Sequence, residues 1–165
     1  MRTHTRRGVT RVAALLLAPA LLAACGPSAS DADGPVDPQT VLAEADDVAH
    51  VFRSATCECC GAHADHLEEA GFEVVEHVVD DVNAAKATAE IPEQLFSCHT
   101  TMIGGYAVEG HVPAESIERM LADAPPIDGI ALAGMPAGAP GMPGEVEAPL
   151  DVRAFVGGED SGAVR

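Results

Sequence analysis

Residues 48–63, VAHVFRSATCECCGAH, decide the predicted fold because they join a strand, a cysteine cluster and a helix. The run VAHVF has the apolar content and the length of a buried strand. Three cysteines follow within four positions, at Cys57, Cys59 and Cys60. The next residues, GAHADHLEEAGF, have helical composition and contain a glycine suited to a C-terminal cap. We therefore expect the three thiols at a helix N-terminus, where the helix dipole favours thiolate over thiol.

The chain continues with alternating strand and helix signals. The pattern predicts a strand at 72–79, a helix at 80–90, a hairpin at 98–112 and a helix at 113–123. The order β-α-β-α-β-β-α is that of the thioredoxin-like α/β fold, with a mixed four-stranded sheet. A Gly/Pro-rich C-terminal loop follows at 124–149, and 151–155 is compatible with one more strand. We place the thioredoxin-like domain at 48–156.

The N-terminal residues have the layout of an export signal. Residues 1–24 combine a basic start with an apolar run and end in small residues before Cys25. The sequence LAAC resembles the bacterial lipobox, which predicts a lipoprotein signal peptide and lipidation of Cys25; an ordinary signal peptide is the alternative. We expect a flexible acidic tether at 25–47, a flexible tail at 157–165, and a lipid-anchored protein of the cell envelope.

The charge balance narrows the range of partners. The chain carries 9 basic and 26 acidic side chains, a formal net charge of −17. Removal of residues 1–24, which contain four arginines and no acidic residue, leaves five basic and 26 acidic side chains, or −21. Such a surface repels nucleic acid, so we expect no nucleic-acid partner. In an oxidising compartment the remaining thiols persist only if they are paired, buried or bound to metal.

The hairpin predicts where the fourth cysteine of the domain lies. If Gly104 and Gly105 form a tight turn, Cys98 falls opposite His111 in the antiparallel register. The strand that follows Cys98 is expected to run antiparallel to the first strand, so its beginning lies beside the first strand's end. All four thiols should therefore converge with Cys98 at one end of the sheet.

The cysteine spacing leaves two chemistries open. Cys57 and Cys60 form a C-x-x-C motif, which is typical of thiol-disulfide oxidoreductases. However, Cys59 between them could trap wrong disulfides. The chain also has no Trp, which commonly precedes this motif in thioredoxins, and no Pro between Pro92 and Pro113, where thioredoxins have a cis-proline that faces the motif. These features favour metal binding over disulfide exchange. A third alternative is an interaction domain stapled by zinc or by disulfides.

The donor types favour copper. Clustered thiolates with nearby imidazole and thioether groups are soft ligands that suit Cu(I), with zinc as the alternative metal. Three crowded thiols with a fourth opposite them are suited to several copper ions bridged by sulfur. His99 adjoins Cys98, and Met135 and Met142 lie in the Gly/Pro-rich loop, where a methionine has little core to fill. His63 and His66 are further candidates, although His66 is better explained as a surface histidine.

Three sequence blocks carry a family resemblance. TCECCGAHADHLEEAGFEV, SCHTTMIGGYAVEGHVP and GMPAGAPGMPG resemble the signature blocks of the CopG-like copper-resistance proteins, domain of unknown function 411. The resemblance covers residues 48–156 and implies a thioredoxin-like fold in the cell envelope. It also implies copper or silver resistance, with a change in the oxidation state of bound copper. The implied copper ligands, with methionines as supplements, are Cys57, Cys59, Cys60, Cys98, His99, Met135 and Met142.

From these observations we predict an envelope protein that holds Cu(I) in a cysteine-rich site, with Cu(I)/Cu(II) redox activity as a further expectation. The expected partners are copper ions, envelope copper-efflux or copper-oxidase proteins, and the membrane through the lipid on Cys25. Storage, handover to a partner and catalysis remain open at this point, as does thiol-disulfide exchange by Cys57 and Cys60.

Overall fold

The computed structural model describes residues 36–146 and 148–164. The helices of this part of the chain are α1 (Pro38–Glu44), α2 (Glu58–Glu69), α3 (Asn83–Thr88) and α4 (Ala114–Asp123). Its strands are β1 (Val48–Arg53), β2 (Glu73–Val78), β3 (Thr100–Ile103), β4 (Tyr106–Glu109), β5 (Gly129–Leu132), β6 (Val152–Val156) and β7 (Glu159–Ala163). A short 3-10 turn, Glu93–Leu95, precedes β3.

The described strands form one mixed sheet in the order β2-β1-β3-β4-β5-β6-β7. The pairs β1/β2 and β4/β5 are parallel, and the other pairs are antiparallel. The predicted α/β class and mixed sheet are confirmed, but the prediction of four strands is wrong because this sheet has seven. β5 is a short buried run, GIAL, inside the segment predicted as a Gly/Pro-rich loop. β7, EDSGA, lies in the predicted flexible tail and has no β-rich composition; it forms through backbone pairing with β6.

Helices cover both faces of the sheet. On one face, Leu67 of α2 and Ile117 of α4 pack with strand residues such as Val108. On the other face, Val41 of α1 and Ala85 of α3 belong to the second core cluster. The members of that cluster from the sheet are Phe52, Met102, Ala107, Ala131 and Phe155. Each face of the central strands is therefore buried under a helical layer.

The β3–β4 hairpin has the register that the sequence predicts. Gly104 and Gly105 have φ values of +59° and +79°, a backbone conformation that tight hairpin turns require and glycine adopts without strain. Ile103 pairs with Tyr106, and Thr100 pairs with Glu109. The hairpin therefore brings the residues just before β3 and just after β4 to the same end of the sheet.

The N-terminal predictions fall partly outside the described residues. The signal peptide at 1–24 and the lipidated Cys25 lie wholly outside them. Within the predicted tether, the structure contains α1, whose first turn is capped by Asp37 and whose Val41 is buried. Among the residues that the structure describes, no helix has the length and apolar character needed to cross a bilayer.

Candidate metal site

The four cysteines of the domain meet where β1 ends and β3 begins. Cys57 is the N-cap of α2, so the cysteine motif occupies the first turn of that helix. The Sγ atom of Cys98 lies 3.3 Å from Cys60 Sγ and 4.0 Å from Cys59 Sγ, and Cys57 Sγ lies 3.5 Å from Cys59 Sγ. The predicted convergence of the thiols is confirmed, because β1 and β3 are antiparallel neighbours.

Two of these cysteines are joined in the structure. Cys57 and Cys60 form a disulfide, whereas Cys59 and Cys98 are free thiols. Cys60 is fully buried and Cys59 is partly exposed. The disulfide form therefore offers two thiol ligands, and the predicted ligation by Cys57 and Cys60 requires reduction of their bond by two electrons.

Two imidazoles complete the surroundings of Cys98. Its Sγ atom lies 3.3 Å from Nδ1 of His99 and 3.1 Å from Nε2 of His111. The sulfur and the two nitrogens lie within 4.8 Å of one another, as do the sulfurs of the four cysteines. Burial, and next the neighbouring Cys59, raise the pKa of Cys98 to about 11, so the metal-free thiol holds its proton at neutral pH.

His111 is the residue that sequence analysis did not include among the predicted ligands. The register of the hairpin already placed it opposite Cys98, and that register was the available signal. Burial lowers the pKa of His111, so its ring is neutral at physiological pH. A neutral ring has a lone pair that can bind a metal ion.

The three buried histidines form a compact group. The ring centroid of His99 lies 4.8 Å from that of His63 and 4.9 Å from that of His111. Burial lowers the pKa of His63 to about 4 and that of His99 well below its ordinary value. His66, by contrast, is only partly buried and lies near the backbone N–H of Ala114, at 3.4 Å.

A buried ion pair holds the backbone that leads into Cys98. Glu109 and Lys86 are almost fully buried, and Lys86 Nζ lies 2.5 Å from Glu109 Oε1. The same carboxylate accepts hydrogen bonds from the Ser97 N–H at 2.6 Å and from Thr100 Oγ1 at 2.7 Å. Burial raises the pKa of Glu109, and Lys86 opposes this shift. Because the carboxylate binds residues on both sides of Cys98, it fixes the position of the sulfur.

The Gly/Pro-rich loop packs against the cysteine motif. The Pro140 carbonyl accepts a hydrogen bond from His111 Nδ1 at 2.7 Å. At Gly141 an added Cβ would lie 2.6 Å from His63 N and 2.8 Å from Cys59 O. Of the two predicted supplementary ligands, Met135 is 56% exposed and Met142 packs against the core cluster under α2 and α4. The loop thus encloses the histidine side of the site.

Cys57 and Cys59 border an open cavity. It has a volume of about 570 Å³ and is lined by Thr56, Cys57, Glu58, Cys59, Ala62, Gly141 and Pro143. Cys98 does not line this cavity but is also partly exposed, whereas the rings of His99 and His111 are fully buried.

The α/β fold and the Cys/His cluster define a candidate metal-binding protein. Residues 95–142 match a family model described as protein of unknown function DUF411. Two solved structures, titled copper resistance protein CopG form 2 and form 1, are each 38% identical to the chain. The similarity covers 70% of this chain and 94% and 93% of theirs, with TM-scores of 0.65 and 0.64. The chain belongs to the CopG-like copper-resistance family. A search of curated proteins gives no significant match.

Proposed function

We propose that this protein binds copper as Cu(I) through its clustered cysteines and so contributes to copper resistance. The observation that carries the proposal is the meeting of four cysteine sulfurs with two imidazole nitrogens around Cys98. Thiolate ligands suit Cu(I), and the solved relatives are named for copper resistance. Zinc binding is the alternative, because the same donor set also suits Zn²⁺.

The spacing of the donors supports a metal site at Cys98. In a tetrahedral site, bonds of about 2.3 Å to sulfur and about 2.0 Å to nitrogen place the two donors about 3.5 Å apart. The distances from Cys98 Sγ to the nitrogens of His99 and His111 are 3.3 and 3.1 Å. Only small side-chain shifts would bring these donors to metal-binding distances.

Redox activity between Cu(I) and Cu(II) is part of the proposal. The thiolates of Cys57 and Cys60 can give one electron to each of two Cu(II) ions, which leaves two Cu(I) ions and the Cys57–Cys60 disulfide that the structure contains. Sulfur ligands favour the reduced ion, whereas the imidazoles of His99 and His111 also suit Cu(II). The reduced protein would offer four thiols, and the disulfide form would offer two thiols and the same imidazoles.

The proposal also includes a thioredoxin-like fold and a location in the cell envelope. The order β1-α2-β2-α3-β3-β4-α4, with β1 parallel to β2 and antiparallel to β3, supports a thioredoxin-like domain with the later strands as an extension. The signal-like residues 1–24 and Cys25 support a lipid-anchored protein of the cell envelope. There it would exchange copper with envelope efflux or oxidase proteins.

Metal analysis of the reduced full-length protein tests the proposal. Protein reduced and loaded with excess Cu(I) without oxygen, then desalted, should retain more than one copper per chain. Cys98→Ser should lower that number, because Cys98 lies within 4.0 Å of two other cysteine sulfurs. Cys25→Ser is the matched control and should leave it unchanged. One tightly held zinc that copper does not displace would contradict the proposal.

A second function is favoured by one observation, the Cys57–Cys60 disulfide at the N-terminus of α2. This is the arrangement of a thiol-disulfide oxidoreductase. Insulin reduction by the metal-free protein separates the two functions. Rapid turnover that persists in Cys98→Ser would favour the oxidoreductase, since that activity needs only Cys57 and Cys60.

A further inference from the structure

Both ring nitrogens of His63 are hydrogen-bonded, and neither partner is a sulfur of the cysteines that the structure describes. It lies on α2 one turn after Cys60, and its side chain is fully buried. Nε2 lies 2.9 Å from the Val112 carbonyl oxygen, and Nδ1 lies 3.0 Å from Nε2 of His99. The ring therefore connects a backbone carbonyl to the imidazole beside Cys98.

These contacts determine where the protons lie. A carbonyl oxygen only accepts hydrogen bonds, so His63 must carry its proton on Nε2. In a neutral ring Nδ1 is then an acceptor, and His99 must donate from its own Nε2. The Nδ1 atom of His99 is left with a free lone pair, 3.3 Å from the Cys98 sulfur.

The neutral state of His63 follows from its surroundings. The ring is buried, and the rings of His111 and His66 lie 5.4 and 6.0 Å away. A cation here would lie beside these two rings, and the hydrogen-bond partners of His63 are a backbone carbonyl and a third imidazole, not a carboxylate, so the ring is neutral. A doubly protonated His63 would donate from Nδ1 and reverse the tautomer of His99.

His111 reaches the same sulfur by an independent route. Its Nδ1 donates to the Pro140 carbonyl, which leaves the Nε2 lone pair 3.1 Å from Cys98 Sγ. Two lone pairs thus converge on one sulfur, one fixed by the loop and the other by His63. The tautomer of His111 is fixed by Pro140 and not by His63, so it serves as an internal reference in the His63 variants.

We propose that His63 is a positioning residue that fixes the tautomer of His99, so that the Nδ1 lone pair of His99 faces Cys98 and can bind a metal ion. The proposal rests on the proposed metal-binding function. Partners that orient a ligating imidazole are as much a part of a metal site as the ligands, and losing one weakens metal binding by about 10- to 100-fold.

Two variants of His63 distinguish a role in orienting His99 from a role in filling the core. In His63→Gln the amide can donate to Val112 and accept from His99, which preserves the polarity of the ring. In His63→Leu the volume is largely kept, but His99 loses its acceptor. His66→Leu is the matched control. It makes the same change on the same helix, at a histidine whose ring is hydrogen-bonded to the Ala114 N–H and not to His99.

The first measurement is the tautomer in metal-free, full-length protein, read from long-range ¹H–¹⁵N correlation of the histidine rings. We expect His99 protonated at Nε2 and His111 at Nδ1 in the wild type, His63→Gln and His66→Leu. In His63→Leu, His99 should lose this single tautomer while His111 keeps its own. Protonation of His99 at Nδ1 in the wild type would overturn the proposal, even if His63→Leu failed to fold.

The second measurement is titration with Co²⁺, which gives a thiolate-to-metal absorption band. His63→Leu should bind Co²⁺ about 10- to 100-fold more weakly than wild type, and His63→Gln and His66→Leu should bind as wild type. Equal binding by His63→Leu and wild type would overturn the positioning role. A wild-type protein with the expected tautomer that binds neither Co²⁺ nor copper would instead contradict the proposed metal-binding function.

Discussion

Cys98 Sγ lies 3.1 Å from His111 Nε2, and these residues flank the paired strands of the β3–β4 hairpin. The hairpin therefore supplies a thiol and an imidazole from one local structure, while α2 and its N-cap supply the other three cysteines. The hairpin pairs strands that are close in sequence, whereas its contact with α2 joins segments that are distant in sequence. Substitutions in the hairpin and in α2 therefore test separate parts of the site.

Removing the imidazole of His111 should weaken copper binding. His111→Gln takes away a nitrogen that faces Cys98, and we expect the affinity of the reduced protein for Cu(I) to fall by about tenfold or more. Competition with a chromophoric Cu(I) chelator measures the change. His77→Gln, a partly buried histidine that lies 2.9 Å from His50, is the control; equal affinities in both variants would show that His111 is not a ligand.

Acid should destabilise the metal-free protein through its buried histidines. His63 titrates near pH 6.5 when unfolded but has a folded pKa of about 4, so the unfolded state takes up a proton first. Stability is therefore fully present above pH 6.5 and falls as the pH drops towards 4, by up to about 3 kcal/mol for this residue.

Urea unfolding at about pH 7.5 and about pH 4.5 measures this loss in the wild type and in His63→Gln. The variant should lose less stability between the two pH values, because Gln does not titrate. An identical loss in both proteins would assign the acid sensitivity to other groups.

Breaking the Lys86–Glu109 ion pair should be costly. Lys86→Met leaves the buried carboxylate of Glu109 without its cation, and we expect a loss of about 3 to 5 kcal/mol in the free energy of unfolding. The double variant Lys86→Met/Glu109→Gln should lose less than the sum of the single variants, since no unpaired charge remains. Arg119→Met, an exposed cation on α4, is the control and should change stability by less than about 0.5 kcal/mol.

Gly141 should tolerate alanine less well than Gly134. Both glycines have positive φ, +77° and +69°, so the backbone penalty of about 1 to 2 kcal/mol is common to the two substitutions. At Gly141 the added Cβ would lie 2.6 Å from a backbone atom, His63 N, whereas at Gly134 no atom of the described residues lies within 4 Å of it. Gly141→Ala should therefore be the less stable variant in urea unfolding, and a reversed order would show that the loop does not pack on α2 as described.

The parts of the site that sequence could predict depend on short-range rules. Two adjacent glycines fix the hairpin register, which places Cys98 opposite His111 without knowledge of the rest of the fold. The cysteines at the start of α2 follow from the strand, loop and helix pattern of residues 48–63.

The parts that sequence could not predict depend on distant pairing or on chemical state. β7 has a polar sequence and forms because β6 offers a free edge. The link between His63 and His99 requires α2 to pack on the beginning of β3, which no local pattern specifies. The Cys57–Cys60 bond depends on oxidation, so the same sequence is compatible with four thiols or with two.

The short segment that contains Cys98 is held from both sides of the sheet. Lys86 of α3 reaches it through Glu109 and the Ser97 N–H, and His63 of α2 reaches it through His99. A metal ion bound at Cys98 would therefore stabilise both helical layers against unfolding, because both layers hold this segment. A cation present at about 100 times its dissociation constant adds about 2.7 kcal/mol to the folded state, so the melting temperature of the whole domain would report how much metal it carries.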